Sequence, residues 1–290
     1  MTAACALALT RGSPHERVLL EKAPEHSNAT LRHGQNGYAR EIVDNVLFKN
    51  SLIPDQSNDL PKFTKAEVTV GKILGIGGFG TVYEVRAFDG RSVRRSRSFR
   101  LHRDHHIDDT QVSAGDFESR KFIAEHCIRN GGDARYAVKQ LSKHILEDPK
   151  KYIQGVIDMA VETRILCSLE HPNIVKIRSL GNSTPFHEDY FIVMDRLYDT
   201  LEKRLPVWQR RQRRSIGLAG NIIDRKGTKR MKLYEERIVA AFDLSSAIAY
   251  CHKRRIIHRD LKPVNIAFDI VSVGDATPRN WLTLVLIYAP

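Results

Sequence analysis

Cysteine is scarce in this chain and scattered: Cys5, Cys127, Cys167 and Cys251, with no CxxC pair. That spacing argues against a zinc ribbon or a disulfide framework and for reduced thiols in an intracellular protein. Long apolar runs are missing too. A bilayer-spanning helix needs about 20 such residues, and the longest stretch, Trp281 to Ala289, is about half that length. No membrane association is expected. Met1 to Thr10 lacks the basic start and apolar stretch of a secretory leader, so none is expected. Acidic residues are in deficit: 34 Asp and Glu against 46 Lys and Arg leave a net charge of +12. Such an excess raises nucleic acid as a partner. It sits largely in two runs, Arg91, Arg94, Arg95, Arg97, Arg100 and Arg103, then Arg210, Arg211, Arg213 and Arg214. Aromatics are thin in both, Phe99 being the one close by, so bases would find little to stack on. Solvated loops and no specific nucleic acid are the expectation. Ser92, Ser96, Ser98 and Ser215 beside these arginines could accept phosphate, each addition cancelling most of two charges.

What remains is ordinary globular composition, 42% hydrophobic and 28% charged, in a chain long enough for a substantial core. Residues 1–62 carry no sustained period and are rich in Asn, Ser, Gly, Pro and His. They read as a disordered extension, with a short helix around Arg40 to Phe48. Order is expected to begin near Phe63. Val68, Val70, Ile73 and Leu74 lead through glycines to alternating Thr81-Val82-Tyr83-Glu84-Val85, which predicts strand, turn, strand. A basic insertion follows over about 87–134, with Asp116 to Ile128 a possible helix. Tyr136 to Lys139 reads as a third strand. Asp148-Pro149 opens a helix with a cap and a first-turn proline. Ile157, Val161, Ile165 and Leu169 mark its buried stripe, and Pro172 closes it. Ile174 to Ile177 and Tyr190 to Met194 are two more strand-like runs. A second basic insertion spans about 206–232. Ile238, Ala241, Phe242, Ser245, Ile248, Ala249 and His252 then trace the apolar face of a long helix. The order implies an α+β protein, a sheet-rich lobe followed by a helical one.

Three short patterns carry chemistry. Gly75-Ile76-Gly77-Gly78-Phe79-Gly80-Thr81-Val82 fits GxGxxGxV between two strands, where missing side chains let amides approach phosphate oxygens. The same glycines would suit a dinucleotide site or a plain tight hairpin. A dinucleotide site requires a helix after the third glycine, whereas Thr81 to Val85 alternates like a strand. Lys139 ends an apolar strand, and Glu162 stands in the apolar stretch of the next helix. Either alone reads as a surface residue. With His171-Pro172-Asn173-Ile174-Val175 behind them, and then His258-Arg259-Asp260-Leu261-Lys262-Pro263-Val264-Asn265, the combination matches HRDLKPxN at every specified position.

From about Phe63 to Asp269 the chain resembles the eukaryotic-type serine/threonine protein kinases. The resemblance implies a five-stranded antiparallel N-lobe (residues 63–197) with one main helix and a partial helical C-lobe (198–269). It implies that Gly75 to Val82 cover the phosphates of ATP, and that Lys139, held by Glu162, binds the α- and β-phosphates. Ala137 and the gatekeeper Met194 would line the adenine pocket, with the backbones of Asp195 and Leu197 hydrogen-bonding the adenine edge. Asp260 would accept or orient the proton of a substrate hydroxyl, Lys262 would neutralise the transferred phosphoryl group, and Asn265 would bind Mg2+. Lysine two residues after the aspartate is the serine/threonine pattern. His258 is expected to pack and Arg259 to meet a phosphorylated segment. A protein substrate or regulatory protein is the implied partner, and the cytoplasm or the nucleus the implied compartment.

The pattern fails after Asp269. Where the family has Asp-Phe-Gly, this chain reads Ile270-Val271-Ser272-Val273-Gly274-Asp275, and residues 270–290 look like a divergent tail from an altered reading frame or retained intervening sequence. Lacking that aspartate, the metal would keep Asn265 as its protein ligand. Little phosphoryl transfer is then expected, and the alternative is a non-catalytic, kinase-like module that binds ATP or a partner.

Overall fold

The computed structural model describes residues 28–48, 53–89, 114–216, 222, 224–258, 260–271 and 279–284. The first arginine run, Arg259 and the end of the tail lie outside the described residues. Two compact units emerge. The first comprises the chain up to Ser168 together with Lys176–Arg196, the second Leu169–Val175 together with Leu197–Ile287.

The first unit is built on six strands, β1 (Lys62–Phe63), β2 (Val68–Ile76), β3 (Gly80–Phe88), β4 (Tyr136–Leu141), β5 (Ile177–Gly181) and β6 (Phe191–Asp195), in the order β1-β5-β6-β4-β3-β2. Five pair antiparallel as expected. The sixth, β1, corrects the expected count: it runs parallel to β5, with Lys62 opposite Leu180 and Phe63 opposite Gly181. Two residues are too few to show a period, so only packing reveals it. Phe63 is fully buried and its ring lies 4.6 Å from that of Phe88, in a core with Tyr136, Phe191 and Val193. The strand expected at Ile174 starts only at Ile177. Ile174 and Val175 are buried in a turn whose Ile174 N–H donates to the His171 carbonyl at 3.1 Å.

Three helices accompany this sheet besides the main one. The first, α1 (Asn28–Glu41), runs on into a π-helical turn at Ile42–Leu47; helix was expected around Arg40 to Phe48, and α1 extends it back to Asn28, where disorder was expected. Gln35, Ala39, Ile42, Val43 and Phe48 are buried. Polar, glycine-containing sequence gives this segment weak intrinsic helicity, so its order comes from tertiary contact. Part of the first basic insertion is ordered as α2 (Ala114–Glu125), and Ile123 and Cys127 join the core. A single turn, α3 (Lys143–Leu146), precedes α4 (Pro149–Cys167), where the Asp148 carboxylate accepts from the Lys150 and Lys151 amides at 3.0 and 3.2 Å. That cap is as read from the sequence. The buried surface of α4 is wider than the expected stripe, because Ile153, Val156, Ala160 and Thr163 are covered as well as Ile157, Val161 and Ile165. Helix α1 packs on α4, which accounts for the second buried face.

In the second unit a three-stranded sheet orders β7 (Asp199–Thr200), β8 (Ile266–Val271) and β9 (Arg279–Leu284). Asp269 pairs with Trp281, so the boundary expected after Asp269 falls inside a hairpin and not at a structural break. The second basic insertion is largely helix: α5 (Leu201–Ser215) is capped by the Thr200 hydroxyl, which accepts from the Lys203 amide at 3.3 Å, and it continues through Pro206. Helix α6 (Thr228–Lys253) contains the expected Ile238 to His252 and begins inside the second basic insertion, but it does not have the expected buried face. It hides Leu233, Ala240, Asp243, Ala247 and Cys251, while Ile238 is 50% and Phe242 71% exposed. Periodicity locates an apolar stripe, but neighbours decide which stripe is covered. Here α5 lies against α6, with Trp208 and Arg211 both donating to the Glu236 carboxylate.

Candidate functional site

The glycine sequence forms the hairpin between β2 and β3, with Gly75 opposite Val82 and Ile76 opposite Thr81. Gly77-Gly78-Phe79 make the turn, and the Gly77 amide donates to the Gly80 carbonyl at 2.8 Å. The turn is tied to the end of β4, because the Ser142 amide donates to the Phe79 carbonyl at 3.0 Å and Thr81 and Ser142 share a 2.7 Å hydroxyl contact. Gly80 has a steric reason to be glycine. A Cβ there would stand 3.0 Å from Cε of Lys139 and 3.3 Å from the Gln140 carbonyl. At Gly75 a Cβ would meet nothing within 4 Å, so that position is open space.

Strand β4 sets Lys139 opposite Val82 on one side and Ile192 on the other. Its ammonium makes a buried ion pair with Glu162 of α4, Lys139 being 8% and Glu162 2% exposed. A buried pair of this kind holds only when both partners are present, since either charge alone would be stranded away from water. Ala137 lies opposite Met194, and both are buried. The Asp195 amide donates to the Lys176 carbonyl at 3.2 Å, and its carboxylate takes a bidentate bond from Arg178 at 2.9 and 2.7 Å. Arg196 turns back to pair with the buried Glu84 at 2.7 Å. The first unit therefore gathers the glycine hairpin, Ala137, Lys139, Glu162, Met194 and Asp195. Leu197 belongs to the second unit.

The second unit holds the other group. The amide of Asp260 donates to the His258 carbonyl at 2.9 Å, and His258 is buried. Pro263–Asn265 form one 3-10 turn that buries Asn265. The Asn265 amide nitrogen donates to the backbone and carboxylate oxygens of Asp260 at 3.0 and 2.9 Å. Lys262 pairs with the same carboxylate at 2.9 Å. Asp260, Lys262 and Asn265 are thus one hydrogen-bonded set.

A phosphate-bearing ligand fits the first group, whose glycine hairpin lies across a lysine held in place by a buried carboxylate. Magnesium takes oxygen ligands and leans on phosphates and water with one or two protein oxygens. Asn265 is placed to offer its amide oxygen, its nitrogen being turned to Asp260. Among the described residues no three of His, Cys, Asp and Glu cluster to hold a metal by themselves.

Sequence reasoning missed one neighbour of the ion pair. Asp158, one turn before Glu162, is 5% exposed; Gln154 donates to its Oδ1 at 2.9 Å, and Oδ2 accepts no hydrogen bond from the described residues. Burial pushes its carboxyl up to about 7, with Glu162 adding to the rise and Lys139 opposing it. An aspartate at helical spacing reads as a solvated face, so its burial was not visible from the pattern. Burial also pushes the Cys167 thiol up to about 12, which leaves it protonated and unsuited to nucleophilic chemistry.

The family model described as protein kinase domain matches residues 123–273. A probable myosin light chain kinase of Dictyostelium discoideum is 28% identical over 135 residues, 46% of this chain and 22% of the relative. A carbon catabolite-derepressing protein kinase of Candida glabrata is 29% identical over 153 residues, 51% of this chain and 20% of its own. An SNF-related serine/threonine-protein kinase of Homo sapiens is 27% identical over 149 residues, 47% and 16% of the two chains. The chain thus spans about a fifth of the length of the relatives it matches.

Proposed function

The chain belongs to the eukaryotic-type protein kinase family, and from that premise we propose that it binds ATP and is built to direct its γ-phosphate to serine or threonine hydroxyls of proteins. The observation that carries the reading is the buried Lys139–Glu162 pair beneath the glycine hairpin. In this reading Lys139 neutralises the α- and β-phosphates as a point charge, and Glu162 keeps its ammonium aimed. Gly75 to Val82 cover the phosphates, and Ala137, Met194 and the backbones of Asp195 and Leu197 hold the adenine. The Asp195 amide is already engaged by Lys176, so its carbonyl serves as the adenine contact.

On the second unit, Asp260 orients the attacking hydroxyl and takes its proton. The hydrogen bond from the Asn265 amide and the pair with Lys262 fix the carboxylate's orientation, which is the main thing such a base requires. Lys262 is near enough to the same carboxylate to share its charge with a transferred phosphoryl group. Asn265 would hold a magnesium ion bound with the nucleotide, and the ion would supply charge neutralisation on the phosphates. Lysine at position 262 supports serine and threonine as the acceptors, and proteins as the substrates.

One observation favours a second reading, a kinase-like module that binds nucleotide or partner without transfer. Asp269 to Val271 continue β8 into a ladder with β9, and no Asp-Phe-Gly triplet, the family's second metal ligand, occurs among the residues after Asn265. Thermal unfolding followed with ATP, in magnesium and in EDTA, tests both. Stabilisation by ATP that vanishes in Lys139→Met is expected, and no shift with any nucleotide would overturn nucleotide binding. Magnesium-dependent phosphate transfer to a serine/threonine peptide mixture, lost in Asp260→Asn, would sink the second reading. A shift that persists in EDTA with no transfer would establish it.

A further inference from the structure

We propose that the segment Asn28–Phe48, which precedes the kinase sheet, is a cis-acting clamp that holds α4 in register and thereby sets Glu162 against Lys139. The inference rests on the kinase reading for its functional consequence and on geometry for the clamp itself. The segment grips α4 at both ends. Near the start of α4, the hydroxyl of the fully buried Tyr152 donates to Oδ1 of Asn36 at 2.8 Å. Near its end, Arg164 lies 3.7 Å from the Asp44 carboxylate, and its guanidinium covers the Phe48 ring at 4.2 Å. Glu162 sits two residues from the second grip.

The clamp is also anchored beside α4. Arg32 pairs with Glu188 and donates to the Leu146 carbonyl at 3.2 Å, and Arg40 stacks over Phe186 at 5.5 Å. Between the anchors Ala39, Ile42 and Val43 are buried, with exposures of 0, 5 and 3%. At 3.6 residues per turn Arg164 stands on nearly the opposite side of α4 from Glu162, which meets the sheet-borne Lys139, so α4 is held from more than one direction. Removing the outer support frees the helix to turn or shift, and the ion pair depends on its angle.

The segment is conditional by composition. No acidic residue stands in the first turn of α1, and Gly37 lies inside the helix. Glycine lowers helix stability relative to alanine, and at Gly37 an added Cβ would meet nothing within 4 Å. Close packing therefore does not require glycine there. The helix is held by what it docks on, a property suited to a segment that can be released. Release would uncover the buried side of α4 and loosen Glu162 without altering any residue of the nucleotide site.

Opposed substitutions in the full chain test this. Arg32→Ala with Asn36→Ala weakens docking, and Gly37→Ala strengthens the helix without touching a contact. Hydrogen exchange of the amides of Val156 to Leu166 is read first, then the affinity for a fluorescent ATP analogue. The weakening pair is expected to speed exchange in α4 while the β4 and β6 amides keep their protection, and to lower analogue affinity about three- to tenfold. Gly37→Ala is expected to slow that exchange and, added to the weakening pair, to restore part of the lost affinity. Unchanged α4 exchange in both directions overturns the clamp, as does altered exchange with analogue affinity untouched. If the unaltered chain binds no analogue, the kinase reading fails, and the exchange arm alone decides whether the clamp exists.

Discussion

The main helices of the two units, α4 and α6, treat their apolar residues in opposite ways. In the first unit, Phe63, Val85, Phe191, Ile192 and Val193 are sealed in a core between sheet and helices, and α4 is covered on both sides. In the second unit, α6 turns Met231, Tyr234, Ile238, Val239 and Phe242 outward, with exposures of 45 to 71%. The first unit's candidate site rests on a charge pair buried where water cannot substitute for a missing partner. The second unit's rests on Asp260 and Lys262, with side chains 21% and 42% exposed, held by local hydrogen bonds. Burial makes one group sensitive to the whole fold; spacing along six residues makes the other largely self-contained.

Four substitutions break or sharpen that contrast, from the largest effect to the smallest. Glu162→Ala strands the Lys139 ammonium in the first unit and should cost about 3–5 kcal/mol of its stability. Urea unfolding of that unit, read by exchange of the β4 and β6 amides, checks this; the second unit's amides should be unmoved. Asp158→Asn acts on the first unit through pH. A carboxyl raised to about 7 from an ordinary value of 3.8 binds its proton more tightly when folded. Between those values the unfolded chain gives up the proton first, so stability falls as pH rises from about 4 to about 7. The penalty is fully present above that window, up to about 4 kcal/mol. Asp158→Asn should flatten the slope, so unfolding measured at pH 5 and pH 8 should differ less than in the unaltered chain.

In the second unit the effects shrink. Thr200→Ala removes the cap of α5 and should cost about 1 kcal/mol, read as faster exchange in the first turn of that helix. Phe242→Ser should change stability by less than about 0.5 kcal/mol and lower retention on a hydrophobic column, since the ring is 71% exposed. A loss of several kcal/mol there would mean that the ring is covered in solution and that the contrast between the units is false.

Legibility followed the length scale of each feature. The loop from Asp260 to Asn265 was readable because its residues lie within one short stretch and bond to one another there. The hairpin, β4, the Asp148 cap, the extent of α4 and the presence of α6 were readable because each is signalled locally by glycine, proline or period. Strand β1 was not, because two residues carry no period and its pairing partner lies more than a hundred residues away. The clamp helix was not, because Gly37 and the surrounding asparagines argue against order until α4 is there to dock on. The second grip on α4 is also why its buried surface exceeded the expected stripe.

By itself the sequence determined which residue types stand at which spacing: a glycine loop, a strand lysine, a helix glutamate and an aspartate-lysine-asparagine loop. Those are local covalent facts, and short-range chemistry follows from them directly. Only the tertiary structure decided which of two apolar faces of α6 is covered, that Asp158 is shut away from water, and that residues 28–48 hold α4. Each depends on what a distant part of the chain places alongside, and burial is a property of neighbours that no residue carries alone.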